Sequence, residues 1–381
     1  MPPTFPSRVR SISFAALFTV ICLACPSCGG AVAGLTAAAR SNAAVQAGTS
    51  CTPVSLPVAL SRLTPKAYTV RGQLCVPAGA KPDTVQVLVP GATYNDIYWD
   101  FPYQPAKYSY VRAMTAAGYA TLNFDPLGFG QSSHPPSALV TIEAEAYVVH
   151  QVIKAVRNGA AGSSFAHVIL VSHSMGTAVA WHEAAAYHDE NAVIATGNTH
   201  HQSLGGTLEA GVDVHPAAMD PRFAGAGLDP GYLTTRPGKR ARLFYNRADA
   251  SPAVIAEDEK TKDTVTLTYM ATYFGEDVDF DTARINVPVL IAVGQEDALM
   301  CTGLGADDCS SSSALLRSEG PYYQPSACLQ AFVLPDAGHD LNLSLNAQAF
   351  FAVAERWANS WVGTYGPVKA HQCDGPAGPA T

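Results

Sequence analysis

Charge is scarce in this sequence. Of 381 residues, 23 are Lys or Arg and 31 are Asp or Glu, so charged residues make up 14%, against roughly a quarter in ordinary soluble proteins. The basic residues form no cluster and the net charge is -8. A phosphate-backbone partner needs concentrated positive charge, so nucleic acid is excluded. Internal repeats are missing as well, which excludes solenoids and propellers. Long apolar runs are confined to one stretch near the N-terminus, Ile12 to Ala24, shorter than the ~20 residues a spanning helix requires. What is abundant is apolar surface: at 48% hydrophobic residues the bulk of the chain has enough to bury, and disorder is excluded there. The length suits one large elaborated α/β domain or two domains, and the first is expected.

The leading residues differ from the rest. Arg8 and Arg10 precede the apolar run, Pro26, Gly29 and Gly30 follow it, and Ala31-Val32-Ala33 has the small-x-small pattern of a cleavage site. Residues 1–33 therefore read as a secretory signal rather than a retained anchor. A lesser alternative is lipid attachment at Cys25, where Leu23-Ala24-Cys25 partly resembles a bacterial lipoprotein box, although Cys22 stands where a Leu is expected. Three of the nine cysteines lie in this leader, with Cys28 the third. The remaining six, Cys51, Cys75, Cys301, Cys309, Cys328 and Cys373, lack the paired C-x-x-C spacing of structural zinc, and an exported chain meets an oxidising compartment, so disulfides are expected. Proximity favours Cys51 with Cys75 and leaves the other four around one C-terminal excursion.

Residues 34–66 are rich in Ala, Ser, Thr and Pro with little periodicity and read as an extended approach segment. Apolar, β-branched runs at Ala67–Val76, Val85–Val89, Tyr119–Phe124 and His167–Val171 read as strands. Between them, Tyr108–Ala117, Ile142–Val156 and Met175–Tyr187 suit helices, the second with Ile142, Ala146, Val149, Ile153 and Val156 on one face. Strands alternating with helices imply a mostly parallel sheet covered on both faces. The alternation stops over residues 199–284, which look like an insertion, and resumes with strands at Val287–Val293 and Ala331–Leu334. A closing helix puts Phe350, Ala354, Trp357 and Trp361 on its docking face. The core is thus expected in two parts, 67–198 and 285–362, with an irregular tail from 363 to 381.

Ile169-Leu170-Val171-Ser172-His173-Ser174-Met175-Gly176 is a strand running into a sharp turn and a helix. Small neighbours at Ser172 and Gly176 let such a turn hold Ser174 exposed at the head of the helix, where unpaired N–H groups favour a developing anion. Downstream, Val289–Val293 leads to Gly294-Gln295-Glu296-Asp297, and Ala331–Leu334 leads to Asp336-Ala337-Gly338-His339. A serine, an acid and a histidine thus follow in that order at strand ends.

These motifs resemble the α/β-hydrolase superfamily, over nearly the whole stretch from Ala67 to Trp361. The resemblance implies an α/β-hydrolase fold with a mostly parallel central sheet, helices on both faces and an inserted cap over 199–284. It implies Ser174 as nucleophile, His339 as general base and Asp297 as its orienting acid, with Glu296, Asp307, Asp308 and Asp336 as rivals for the acid. In Val89-Pro90-Gly91-Ala92-Thr93, Pro90 replaces the usual His, and the backbone N–H groups of Ala92 and Met175 are the implied oxyanion donors. Asp125-Pro126-Leu127-Gly128-Phe129-Gly130-Gln131-Ser132 resembles the family's D-x-x-G-x-G-x-S turn, a structural feature. The implied activity is that of a secreted serine hydrolase acting on a small ester or lipid-like substrate with no cofactor and no metal. A lipase, an amidase or peptidase, a cofactor-free perhydrolase, and a silent binding protein on the same scaffold are the alternatives.

Other motifs read as structural. Ser133 stands where a dinucleotide loop beginning at Gly128 needs a third glycine, and Ala186 stands where a zinc-protease helix beginning at His182-Glu183 needs a second His. His200-His201 reads as polar surface and His173 as a packing residue. The sequon Asn342-Leu343-Ser344 reads as coincidence. Tyr94, Tyr98, Trp99, Phe129, Tyr322 and Tyr323 suit core positions, with a substrate pocket as the alternative use.

Overall fold

A computed structural model describes residues 48–274, 282–366 and 373; the leader, with its expected signal and its lipoprotein box, lies outside the described residues. In chain order the elements are β1 (Thr49–Val58), β2 (Tyr68–Pro77), β3 (Thr84–Val89), α1 (Pro105–Tyr108), α2 (Tyr110–Ala116), β4 (Ala120–Asp125), α3 (Ile142–Asn158), β5 (His167–His173), α4 (Met175–Tyr187) and β6 (Ala192–Thr196). There follow α5 (Leu204–Val212), β7 (Val214–Pro216), β8 (Tyr232–Thr235), α6 (Arg240–Leu243), α7 (Pro252–Thr261), β9 (Val265–Thr266), α8 (Leu267–Phe274), β10 (Val289–Gly294), α9 (Ser312–Glu319), β11 (Gln330–Leu334) and α10 (Ala347–Trp361).

Eight strands form one sheet in the order β1-β2-β4-β3-β5-β6-β10-β11. The first two pairings are antiparallel and every later one is parallel. Both faces are buried, and successive residues supply opposite cores. On β5, Ile169 and Val171 join one hydrophobic cluster while Val168 and Leu170 join another. This period of two along a continuous apolar run is what a doubly covered parallel sheet demands. Helix α10 turns Phe350, Ala354 and Trp357 into the first cluster, while Trp361 packs only partly buried beside it.

Two elements depart from the sequence reading. The N-terminal segment read as an extended approach contains β1, an edge strand paired with β2 along its whole length. Val54, Leu56 and Val58 point inward, and Pro53 and Pro57 occupy exposed positions in the same alternation. An edge strand accommodates proline where the missing N–H would have faced solvent, so the prolines disguised the alternation. The other is β6, a five-residue strand, Ala192 to Thr196, that lies between β5 and β10 and pairs with both. Within 199–284, β7, β8 and β9 pair as a separate antiparallel sheet. The six cysteines form Cys51–Cys75, Cys301–Cys309 and Cys328–Cys373. Cys51 and Cys75 face each other directly in the β1–β2 register.

Candidate active site

Strands β5, β10 and β11 run parallel, and Gly294 and Leu334 are register partners, so the loops after these strands leave the same edge of the sheet. Ser174 follows β5, Asp297 follows β10 and His339 follows β11. His339 Nε2 lies 2.8 Å from Ser174 Oγ, and His339 Nδ1 lies 2.8 Å from Asp297 Oδ2. With the Asp297 carboxylate accepting from Nδ1, Nε2 is left to accept from the serine hydroxyl. Asp297 is itself fixed, because its Oδ1 accepts from the backbone N–H groups of Leu299 and Met300.

Backbone geometry aims the serine. Ser174 has φ 54° and ψ -128°, a left-handed conformation that a non-glycine residue adopts only under constraint. Its N–H donates to the Thr196 carbonyl at 2.8 Å, and its carbonyl accepts from Asn198 Nδ2. A Cβ on Gly176 would come within 2.3 Å of the Pro90 carbonyl oxygen, and one on Gly294 within 2.0 Å of the Gly338 carbonyl oxygen. Only glycine permits these approaches, which bring the β3 and β11 loops against the head of α4 and the end of β10. Met175 opens α4, so its N–H has no intrahelical acceptor.

A narrow cavity of about 60 Å³ reaches Ser174 and is lined by Ala92 and Met175 with Leu243, Phe244, Met270, Tyr273 and other residues of the 199–284 segment. A larger cavity, about 860 Å³, lies beyond the Asn95–Ile97 loop, and neither Ser174 nor His339 lines it. Phe244 also stacks on His339, with ring centroids 5.7 Å apart.

Burial disfavours charge on His339, but attraction and hydrogen bonding to Asp297, helped by Asp340, outweigh it, and the imidazole is held above its ordinary value. Asp340 was not singled out in the sequence. Its carboxyl, raised to about 6 chiefly by burial, accepts from the Tyr94 hydroxyl and lies 3.2 Å from His173 Nε2. Arg240 was also missed. It is fully buried, makes two 2.8 Å contacts to Asp258, and donates to Thr93 Oγ1 at 2.9 Å, tying α6 to the loop that carries Ala92. In the sequence Arg240 stands among Arg236, Lys239 and Arg242, and nothing local marks which of these is buried.

Of the rival acids, none takes the place of Asp297 on His339. His173 is buried, stacks on Tyr98 and bonds Thr196 and Asp340, as a packing residue would. His200 is a correction: its side chain is only 4% exposed rather than on the surface, sandwiched between Trp181 and Tyr322 and hydrogen-bonded to Glu319. The aromatics Tyr94, Tyr98, Trp99 and Phe129 are core residues, and the cavity at Ser174 takes its rings from Phe244 and Tyr273 instead. Asn342 is fully buried, out of reach of glycosylation. The Asp125 turn is stitched together: Asp125 accepts from Gln131 N and Asp96 N, and Ser132 Oγ donates to the Asp125 carbonyl.

Residues 86–354 match the alpha/beta hydrolase family. Among solved structures, a thermophilic esterase from Thermogutta terrifontis superposes with a TM-score of 0.53 at 17% identity, over 81% of this chain and 98% of its own. An alpha/beta hydrolase fold protein from Chitinophaga pinensis gives 0.53 at 15%, over 81% and 98%. E-2-(acetamidomethylene)succinate hydrolase gives 0.51 at 18%, over 81% and 100%. At such identities the likeness is one of fold. No curated protein sequence matches the chain.

Proposed function

Starting from the fact that the chain belongs to the alpha/beta hydrolase family, we propose that it is a secreted serine hydrolase that cleaves carboxylic esters of small molecules. Ser174 attacks the ester carbonyl while His339 takes its proton, and Asp297 holds the imidazole tautomer and stabilises the cation that forms. The N–H groups of Met175 and Ala92 meet the oxyanion, each such donor contributing ~3 kcal/mol to transition-state stabilisation. His339 then protonates the departing alcohol, and the acyl-Ser174 is hydrolysed by water that His339 activates. Every proton transfer uses a group of the chain or water.

The observation that carries this reading is the unbroken hydrogen-bonded line from Ser174 Oγ through His339 to Asp297, opening on an apolar cavity. The volume of that cavity, about 60 Å³, suits a short acyl group, and residues 199–284 act as the cap that bounds it. Export through the 1–33 signal accords with three disulfides, and among the described residues no helix is long and apolar enough to cross a membrane.

A panel of p-nitrophenyl esters from acetate to palmitate, with a matched anilide, tests the reading. It predicts the highest kcat/KM on the short esters. A maximum on the long chains would favour a lipase, a preference for the anilide an amidase, and no turnover at all a silent binding protein.

A further inference from the structure

Helix α4 starts just after Ser174 and reaches a second polar cluster near its other end, where Glu183 stands about 14 Å along the axis at 1.5 Å per residue. Glu183 is fully buried. Around it lie His150 on α3 and Asp189 and Glu190 in the turn leading to β6. His150 Nδ1 is 2.7 Å from an Asp189 oxygen and 3.8 Å from a Glu183 oxygen. One donor atom from each of His150, Glu183 and Asp189 falls within 4.8 Å of the others.

Glu183 is the group left short of donors. Both of its side-chain oxygens are buried with no hydrogen-bond partner among the described residues, whereas the Asp189 carboxylate has His150 Nδ1 2.7 Å away and the Glu190 carboxylate has the backbone N–H groups of Asp189 and Glu190 beside it. Three ionised carboxylates cannot satisfy one another, because each is acceptor-only. Lys154 and Arg62 act on His150 electrostatically, yet among the described residues neither forms an ion pair with these acids. Two arrangements relieve such a cluster: shared protons, toward which burial and mutual repulsion push Glu183, or a bound cation.

The geometry favours the cation. Three donor atoms at most 4.8 Å apart share a point no more than about 2.8 Å from each, within a small side-chain adjustment of metal–ligand bond lengths. The last carbonyls of α4 point toward the same end and add negative potential. An imidazole among carboxylates suits a first-row divalent ion better than calcium or magnesium, which prefer all-oxygen shells. We propose that His150, Glu183 and Asp189, with Glu190 beside them, bind a divalent transition-metal ion such as Zn²⁺ or Mn²⁺. The ion would cross-link α3, α4 and the turn before β6, a structural role separate from the chemistry at Ser174.

The full chain, stripped with EDTA, is titrated with ZnCl₂, MnCl₂, CaCl₂ and MgCl₂ in turn and followed by calorimetry and thermal unfolding. Saturable one-site binding of Zn²⁺ or Mn²⁺ that raises the unfolding temperature is expected, with both effects lost in Glu183→Gln and Asp189→Asn. His150→Gln, at a partly exposed position, serves as a third variant should a buried substitution fail to fold. Three outcomes would overturn the proposal: no binding, binding of Ca²⁺ or Mg²⁺ alone, or transition-metal binding undiminished in the variants. The last would place the ion elsewhere, as at His201, Asp307 and Glu319.

Discussion

Replacing Arg240 with Met isolates one buried charge. The Arg240 side chain and Asp258 are essentially unexposed, and the guanidinium makes two 2.8 Å bonds to the carboxylate. Its plane also covers Tyr94, 4.1 Å from the ring centroid. Methionine keeps most of the apolar stem but strands the Asp258 carboxylate away from water. Breaking a buried pair in this way costs about 3–5 kcal/mol. With an unfolding entropy of ~2.1 cal/mol/K per residue over the roughly 310 described residues, that loss lowers Tm by about 5–8 °C. Removing both charges in Arg240→Met/Asp258→Leu should recover most of the difference, because an apolar pair of similar volume carries no stranded charge. Differential scanning calorimetry of the three proteins decides. An Arg240→Met protein that melts with the wild type, or a double variant no more stable than the single one, refutes the reasoning. Since Arg240 also bonds Thr93, kcat should fall in the single variant beyond what unfolding explains.

In the proposed mechanism the acid limb of ester hydrolysis follows from His339. Its imidazole is held above the ordinary value, and the protonated form cannot accept the serine proton, so the inactive cation persists to higher pH. kcat/KM should therefore fall as pH drops through a midpoint above ~6.5; a flat profile between about pH 5 and 8 removes His339 from the role. Asp297→Asn preserves shape but loses the carboxylate that fixes the tautomer, and a drop of about 10⁴-fold in kcat is expected with folding retained; steady-state kinetics beside circular dichroism checks it. Replacing Cys51 and Cys75 by Ser opens a crosslink with a sequence separation of 24. Loop-closure entropy makes that cost about 3.5 kcal/mol, and urea titration should show a lower midpoint with little change in activity.

The residues proposed to carry the chemistry were legible because they sit where sequence pattern is strongest. The run from Ile169 to Val171 is long enough to be a buried strand, and the small residues flanking Ser174 are a steric requirement of the turn. Asp297 follows Gly294 at the end of β10 by three residues, and His339 follows β11 by a short loop containing Gly338, which is where parallel strands deliver side chains to one edge. Edge strand β1 was hidden by Pro53 and Pro57, and β6 by its length of only five residues. The partners of His200 lie at Glu319 and Tyr322, more than a hundred positions away, and no local pattern announces them. Asp340, adjacent to His339, and Arg240 were invisible for the same reason: burial and long-range pairing decide what such residues do.

Reaction with a fluorophosphonate probe, followed by peptide mass spectrometry, tests the central claim most directly. Ser174 should carry one covalent adduct per chain, Ser174→Ala should carry none, and His339→Ala should label far more slowly. Intact protein that leaves Ser174 unmodified, or that labels at another serine, would contradict it.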